Sequence, residues 1–117
     1  EGRVLAHDHN WQLTEIEFSG GRFQVPLVEA PLQSPVRLRV AASDVSISLA
    51  APSGSSIINA FVAEVVEILE EGAIAILKLR AGQTPLIARV TRKSCQNLGI
   101  KPGKVVYAQV KGAAVLA

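Results

Sequence analysis

Three short segments hold the residues best suited to chemistry: Gly54-Ser55-Ser56-Ile57-Ile58-Asn59, Ala88-Arg89-Val90-Thr91-Arg92-Lys93-Ser94 and Tyr107-Ala108-Gln109-Val110-Lys111-Gly112. They offer hydroxyls, backbone N–H groups and cations, the donors that can surround the oxygens of an anion. None supplies the paired carboxylates of acid–base hydrolysis or the Cys/His cluster of a metal centre. The chemistry they imply is oxyanion binding, not bond-making. A tetrahedral dianion taken out of water needs fixed donors for four oxygens, because charge left unpaired in protein costs several kcal/mol. Thr91 and Ser94, at the start of a short helix, would add free N–H groups and a partial positive charge, and Lys111 a full one.

Each residue also has a plainer role. Thr91 and Ser94 can simply cap a helix, which stabilises it by about 1 kcal/mol with or without an anion. Lys111 can be a solvated strand residue, and Ser55 and Ser56 a polar linker. His7 and His9 point the same way on a strand, but no further His or Cys accompanies them, so a structural or surface role is expected in place of a metal site. Trp11 beside them reads as a packing anchor, and Cys95 as a small hydrophobe on the buried face of the helix. Gly99-Ile100-Lys101-Pro102-Gly103-Lys104-Val105 has the look of a phosphate loop but one intervening residue too few, no Ser/Thr after the lysine, and a strand to follow. It is expected to be a turn.

The elements that position these residues are mostly strands. Arg3 to Asp8, Gln12 to Phe18 and Gly21 to Val25 read as a meander. In Val36-Arg37-Leu38-Arg39-Val40 the aliphatics face one way and the arginines the other. Asp44 to Leu49 repeats the pattern, with Val45, Ile47 and Leu49 inward, and the two runs are placed close to a hairpin or bulged bend. Ala50-Ala51-Pro52-Ser53-Gly54 marks an internal boundary, giving an N-terminal β subdomain over 1–50 and a second unit over 53–117. In the second unit Ala60 to Glu70, Ala73 to Arg80 and Thr84 to Val90 read as strands. Thr91 to Leu98 reads as the one helix, capped by Thr91 and ended by Gly99. Lys101-Pro102-Gly103-Lys104 has the order of a type II turn and delivers the chain into a last strand, Val105 to Val110. The fold class expected is all-β, an OB-like small barrel with one short helix plus the N-terminal β subdomain.

Composition bounds the function. The 49% hydrophobic content excludes a disordered tail, and a net charge of +2 is too small to indicate a polyanion-binding surface. Only Trp11, Tyr107 and three Phe are available to stack bases, so no nucleic-acid partner is expected. No apolar run approaches the roughly 20 residues of a membrane span, and the single cysteine fits a reducing compartment, so a soluble cytoplasmic location is expected. The absence of methionine leads to the expectation that the chain is a piece of something larger.

The three segments, in this order and spacing, resemble the molybdate-binding Mop/TOBE domain. Its pattern begins Thr-Ser-Ala-Arg-Asn, continues through an Ile-Thr-x-x-Ser helix start with Leu-Gly-Leu-x-x-Gly, and ends in an Ile-Lys-Ala strand. Here these stand as Ser55-Ser56-Ile57-Ile58-Asn59, Val90-Thr91-Arg92-Lys93-Ser94 with Leu98-Gly99-Ile100-Lys101-Pro102-Gly103, and Gln109-Val110-Lys111-Gly112. Upstream, Ser43-Asp44-Val45-Ser46-Ile47-Ser48-Leu49 is similar to the segment preceding this domain in the ATP-binding subunits of molybdate ABC transporters. The resemblance implies the C-terminal regulatory region of such a subunit, with no cofactor and with molybdate or tungstate as ligand. It assigns the oxyanion to Ser56, Thr91, Ser94 and Lys111, with Ser55, Ile57, Asn59 and Arg92 as weaker candidates. It also implies a homodimer with a shared site, an ATPase domain in the same chain, a transmembrane permease partner, and a cytoplasmic place at the inner membrane. No hydrolysis is expected from this chain itself. Ile58 stands where the family has Arg, which removes a charge and a fork of donors. The alternatives are therefore an OB-like dimerisation module that has lost ligand binding, or a free-standing molybdate storage or regulator domain.

Overall fold

The computed structural model describes residues 2–116. Ten strands follow one another: β1 (Gly2–Asp8), β2 (Leu13–Phe18), β3 (Gly21–Pro26), β4 (Pro35–Arg39), β5 (Val45–Ser48), β6 (Asn59–Glu71), β7 (Ile74–Ala81), β8 (Thr84–Thr91), β9 (Val105–Val110) and β10 (Ala114–Leu116). A 3-10 turn (Ala42–Asp44) precedes β5, and helix α1 (Arg92–Leu98) lies between β8 and β9. Two five-stranded antiparallel sheets result, ordered β10-β4-β1-β2-β3 and β5-β9-β6-β7-β8. The all-β class with one short helix matches the expectation. Among the described residues no helix is long and apolar enough to cross a membrane.

The order of strands reveals a repeat that the sequence conceals. β1 to β4 and β6 to β9 trace the same path, and the fifth strand of each half joins the sheet of the other: β5 pairs with β9, and β10 with β4. The correspondence extends to single hydrogen bonds. Val4 donates to Ser34 O and accepts from Gln33 N, while Val65 donates to Lys104 O and accepts from Gly103 N. A bulge follows each valine. The turns that supply those partners are equivalent too, Ser34 N donating to Pro31 O at 3.2 Å and Lys104 N to Lys101 O at 3.0 Å. Gln33 (φ 69) and Gly103 (φ 91) both take the positive φ expected at the third position of a type II turn. The boundary read at 50–53 is thus crossed twice by exchanged strands.

The core lies between and within the two sheets. Phe18, Phe23 and Phe61 form an aromatic cluster with centroids 4.7–4.9 Å apart. Two polar contacts join the halves beside it. Asn59, 5% exposed, donates its amide to Gln24 O at 3.0 Å and accepts from Gln24 N at 2.8 Å. The β2–β3 turn also packs against the β7–β8 turn: Ser19 Oγ accepts from Gln83 N at 3.0 Å, and Thr84 Oγ1 donates to Ser19 O.

Three expectations are corrected. β4 and β5 form no hairpin, because the 3-10 turn, closed by Asp44 N donating to Ala41 O at 2.9 Å, sends the chain to the other sheet. Leu49 is exposed, because the strand stops at Ser48, whose hydroxyl bonds the backbone of Ala50 and bends the chain. Trp11 is 76% exposed, not a packing anchor. Asp8 Oδ1 accepts from both Asn10 N and Trp11 N, and this tight turn leaves the indole at the tip of the β1–β2 connection.

Candidate functional site

The helix start forms as its residues dictate. Thr91 keeps an extended conformation (φ −80, ψ 150), and its hydroxyl accepts from Ser94 N at 3.0 Å and donates to Ser94 Oγ at 2.9 Å. Gly99 ends the helix in the left-handed region (φ 65, ψ 38), with its N–H on Cys95 O and Gln96 O. Both hydroxyls are at the surface. Ser94 lines a small cleft with Ser46 and Ile47 of β5 and with Leu77, Val90, Cys95, Leu98 and Ile100. The strand exchange therefore sets this helix beside a strand from the other half of the chain.

The second group gathers at the start of β6 and the end of β9. Asn59 pairs with Val110 in the sheet, so Ile58 and Lys111 flank one cross-strand pair. Lys111 is exposed and its N–H donates to Asp44 O at 2.9 Å, tying it to the 3-10 turn. Ser55 Oγ accepts from Ile57 N at 3.1 Å; Ser56 and Ile58 are exposed, and Ile57 is half-buried. Between the two groups lies Ser46, which faces Gln109 across the β5–β9 ladder, its hydroxyl donating to Gln109 Oε1 at 3.3 Å. Among the described residues no hydrogen bond joins Thr91 or Ser94 to Ser56 or Lys111.

Two of the weaker candidates are already engaged. Arg92 donates from Nε to Glu70 Oε2 at 3.0 Å and from a terminal nitrogen to Gly72 O at 3.1 Å, closing the β6–β7 hairpin over the helix start. Asn59 is held by Gln24. Ser46 and the carbonyl of Asp44 reach Gln109 and Lys111 only through the β5–β9 pairing, which nothing local in the sequence signals.

His7 and Cys95 have structural roles. His7 Nε2 donates to Ala30 O at 2.8 Å, its Nδ1 lies 2.9 Å from Thr14 Oγ1, and that buried hydroxyl also accepts from Val28 N. The ring thus ties the 27–31 loop to β1 and β2. Among the described residues no three His, Cys, Asp or Glu are grouped to hold a metal. Cys95 packs on the inner face of α1, and burial first, then the Glu70 carboxylate, push its thiol above the ordinary value. A raised thiol is a poor nucleophile at neutral pH. Folded protein at pH 8 should accordingly react with a disulfide reagent about tenfold or more slowly than unfolded protein; equal rates would contradict this packing.

Comparison with known proteins follows the same lines. The model of the TOBE domain matches residues 55–117. The molybdenum import ATP-binding protein ModC of Thiobacillus denitrificans is 44% identical over 115 residues, 97% of this chain and 32% of that protein. ModC of Aromatoleum aromaticum is 44% identical over 117 residues, 99% of this chain and 31% of its own length. The chain thus spans about a third of the length of the curated relatives it matches. Among solved structures, that of the cytoplasmic molybdate-binding protein ModG, in a form with molybdate bound, superposes with a TM-score of 0.85 at 22% identity. It covers 98% of this chain and 90% of that one, a likeness of fold.

Proposed function

The chain belongs to the TOBE domain family, and from that premise we propose that it is the regulatory region of a molybdate importer's ATP-binding subunit, taking molybdate or tungstate at an interface between two copies. The observation that carries this reading is that the similarity to import ATP-binding proteins spans both halves of the repeat, not the TOBE match alone. Residues 1–50 and 53–117 are its two subdomains, each completed by the last strand of the other. Ser56, Thr91, Ser94 and Lys111 are the oxyanion's donors. Lys111 alone under-neutralises a dianion, and no hydrogen bond among the described residues joins Thr91 or Ser94 to Ser56, so donors from a second copy complete the shell. The ATPase domain of the same polypeptide and a membrane permease are the further partners, on the cytoplasmic face of the membrane. Bound oxyanion favours one arrangement of the two regulatory regions, and so biases the attached ATPase domains by its differential affinity for that arrangement.

Titration calorimetry with molybdate, tungstate and sulfate tests this reading; no heat and no thermal shift with any of the three would remove it. The second reading, a dimerising spacer without ligand, is favoured by Ile58, which is exposed beside Lys111 where a guanidinium would add charge and donors. Ile58→Arg is expected to tighten molybdate binding by about tenfold, the worth of one charge-assisted hydrogen bond. An unchanged or weaker affinity would show that position 58 does not face the anion.

A further inference from the structure

One difference between the two halves bears on a cleft beside the helix. His7 and Ile68 are counterparts: each lies three residues beyond the valine that precedes its bulge, and they pair across the sheet with Thr14 and Leu77. In the first half this polar pair straps the next connection down, His7 Nε2 donating to Ala30 O and Thr14 Oγ1 accepting from Val28 N. Ile68 and Leu77 can make no such bonds. In the second half a cleft of about 630 Å³ lies between Ile68 and Glu70 of β6, helix α1 and the turn that follows the helix. Its volume falls within the roughly 300–1,000 Å³ of small-molecule sites.

The lining of this cleft is of two kinds. Ile68 is half-buried, Cys95 is 7% exposed and Ile100 8% exposed, which gives it an apolar floor. Cations stand at the rim. Arg92 is already neutralised by Glu70 at 3.0 Å, but the exposed Lys93 and Lys101 make no ion pair among the described residues. Their charge is uncompensated. An inorganic anion would leave the floor unused, and a neutral hydrocarbon would leave the two ammonium groups without a partner, whereas a ligand with both parts matches the whole cleft. The geometry points to a small-molecule site for an amphiphilic organic anion, whose hydrocarbon body lies on Ile68, Cys95 and Ile100 and whose acidic head meets Lys93 and Lys101. Ser56, Thr91, Ser94 and Lys111 are not among the residues that line it. The site is therefore separate from the proposed oxyanion donors and does not depend on them.

Calorimetric titration of the 117-residue chain with decanoate, below its micellar range and near neutral pH where the carboxyl group is ionised, tests this inference. Dissociation constants of about 1 mM or below are expected. Lys93→Glu with Lys101→Glu should weaken binding about tenfold, and Lys93→Gln with Lys101→Gln by a smaller factor. Circular dichroism and thermal melting establish that each variant is folded. Decyltrimethylammonium, which has the same chain length and the opposite charge, should bind the wild type about tenfold more weakly than decanoate. A second readout uses the single cysteine: saturating decanoate should slow the reaction of Cys95 with an uncharged aromatic disulfide reagent about fivefold or more. No decanoate binding up to about 10 mM, equal affinity for the cationic chain, indifference to both lysine pairs, or an unprotected Cys95 would each overturn the inference. Displacement of decanoate by molybdate would also overturn it, by making the cleft part of the oxyanion site. Decanoate binding with this profile in a chain that binds no molybdate leaves the cleft standing and removes only the oxyanion reading.

Discussion

Gly20→Ala is expected to lower the free energy of unfolding by about 3 kcal/mol or more, and the melting midpoint by roughly 10–20 °C. Gly20 sits at φ +124, a region that side-chain-bearing residues rarely enter, and a Cβ there would come 2.3 Å from Ala81 O. The obstacle is backbone, which cannot turn aside as a flexible side chain would. Gly82 opposes it with φ +62, and a Cβ on it would lie 2.8 Å from the Cα and N of Gly20. The two hairpin turns therefore meet glycine to glycine, and Ser19, Gln83 and Thr84 make hydrogen bonds around the contact. Gly103→Ala is the control: its φ of +91 is also unfavourable, but nothing lies within 4 Å, so it should cost only about 1 kcal/mol. Urea titrations of both variants decide the matter. If Gly20→Ala costs no more than Gly103→Ala, the turn contact does not hold the two sheets together.

Asn59→Asp should destabilise by about 3 kcal/mol at pH 7, and by less as the pH is lowered. The side-chain amide of Asn59 gives one hydrogen bond to Gln24 O and takes one from Gln24 N, a two-way match that an ionised carboxylate cannot make. A carboxylate keeps the second bond, loses the first, and sets a buried negative charge against a carbonyl. Burial raises the pKa of such a carboxyl in the folded state, so its proton is held more tightly folded than unfolded. The variant is thus relatively more stable at low pH and loses stability as pH rises through that raised value. Asn59→Ala, which leaves both groups of Gln24 without their partner, should cost about 2 kcal/mol with no such pH dependence. Denaturation at pH 4 and pH 7 separates the two, and a flat pH response for Asn59→Asp would mean that the site admits water.

Asn59 also shows what the sequence leaves out. Its place in the Ser55-to-Asn59 motif made it a candidate ligand, and nothing local signals that β3, 35 residues earlier, presents Gln24 to it. Trp11 fails for a related reason: an indole in a β-rich sequence is usually inside, and only the turn built on Asp8 Oδ1 turns it out. Thr91, Ser94 and Gly99 were legible because a cap and a left-handed glycine act within a few residues of themselves. The Lys101-to-Lys104 turn was legible for the same reason.

The sequence by itself determined what short-range physics controls: the strands, by alternation; the one helix, by its cap and terminal glycine; the turns, by Pro and Gly. It also determined which donors exist. Tertiary structure alone decided which strands meet. β5 and β10 carry the alternation that any half-buried strand carries, so nothing in them specifies a partner about sixty residues or more away in sequence. Their exchange is settled by which apolar faces the assembled sheets leave open. That exchange converts two tandem halves into one interlocked repeat and sets Asp44 against Lys111.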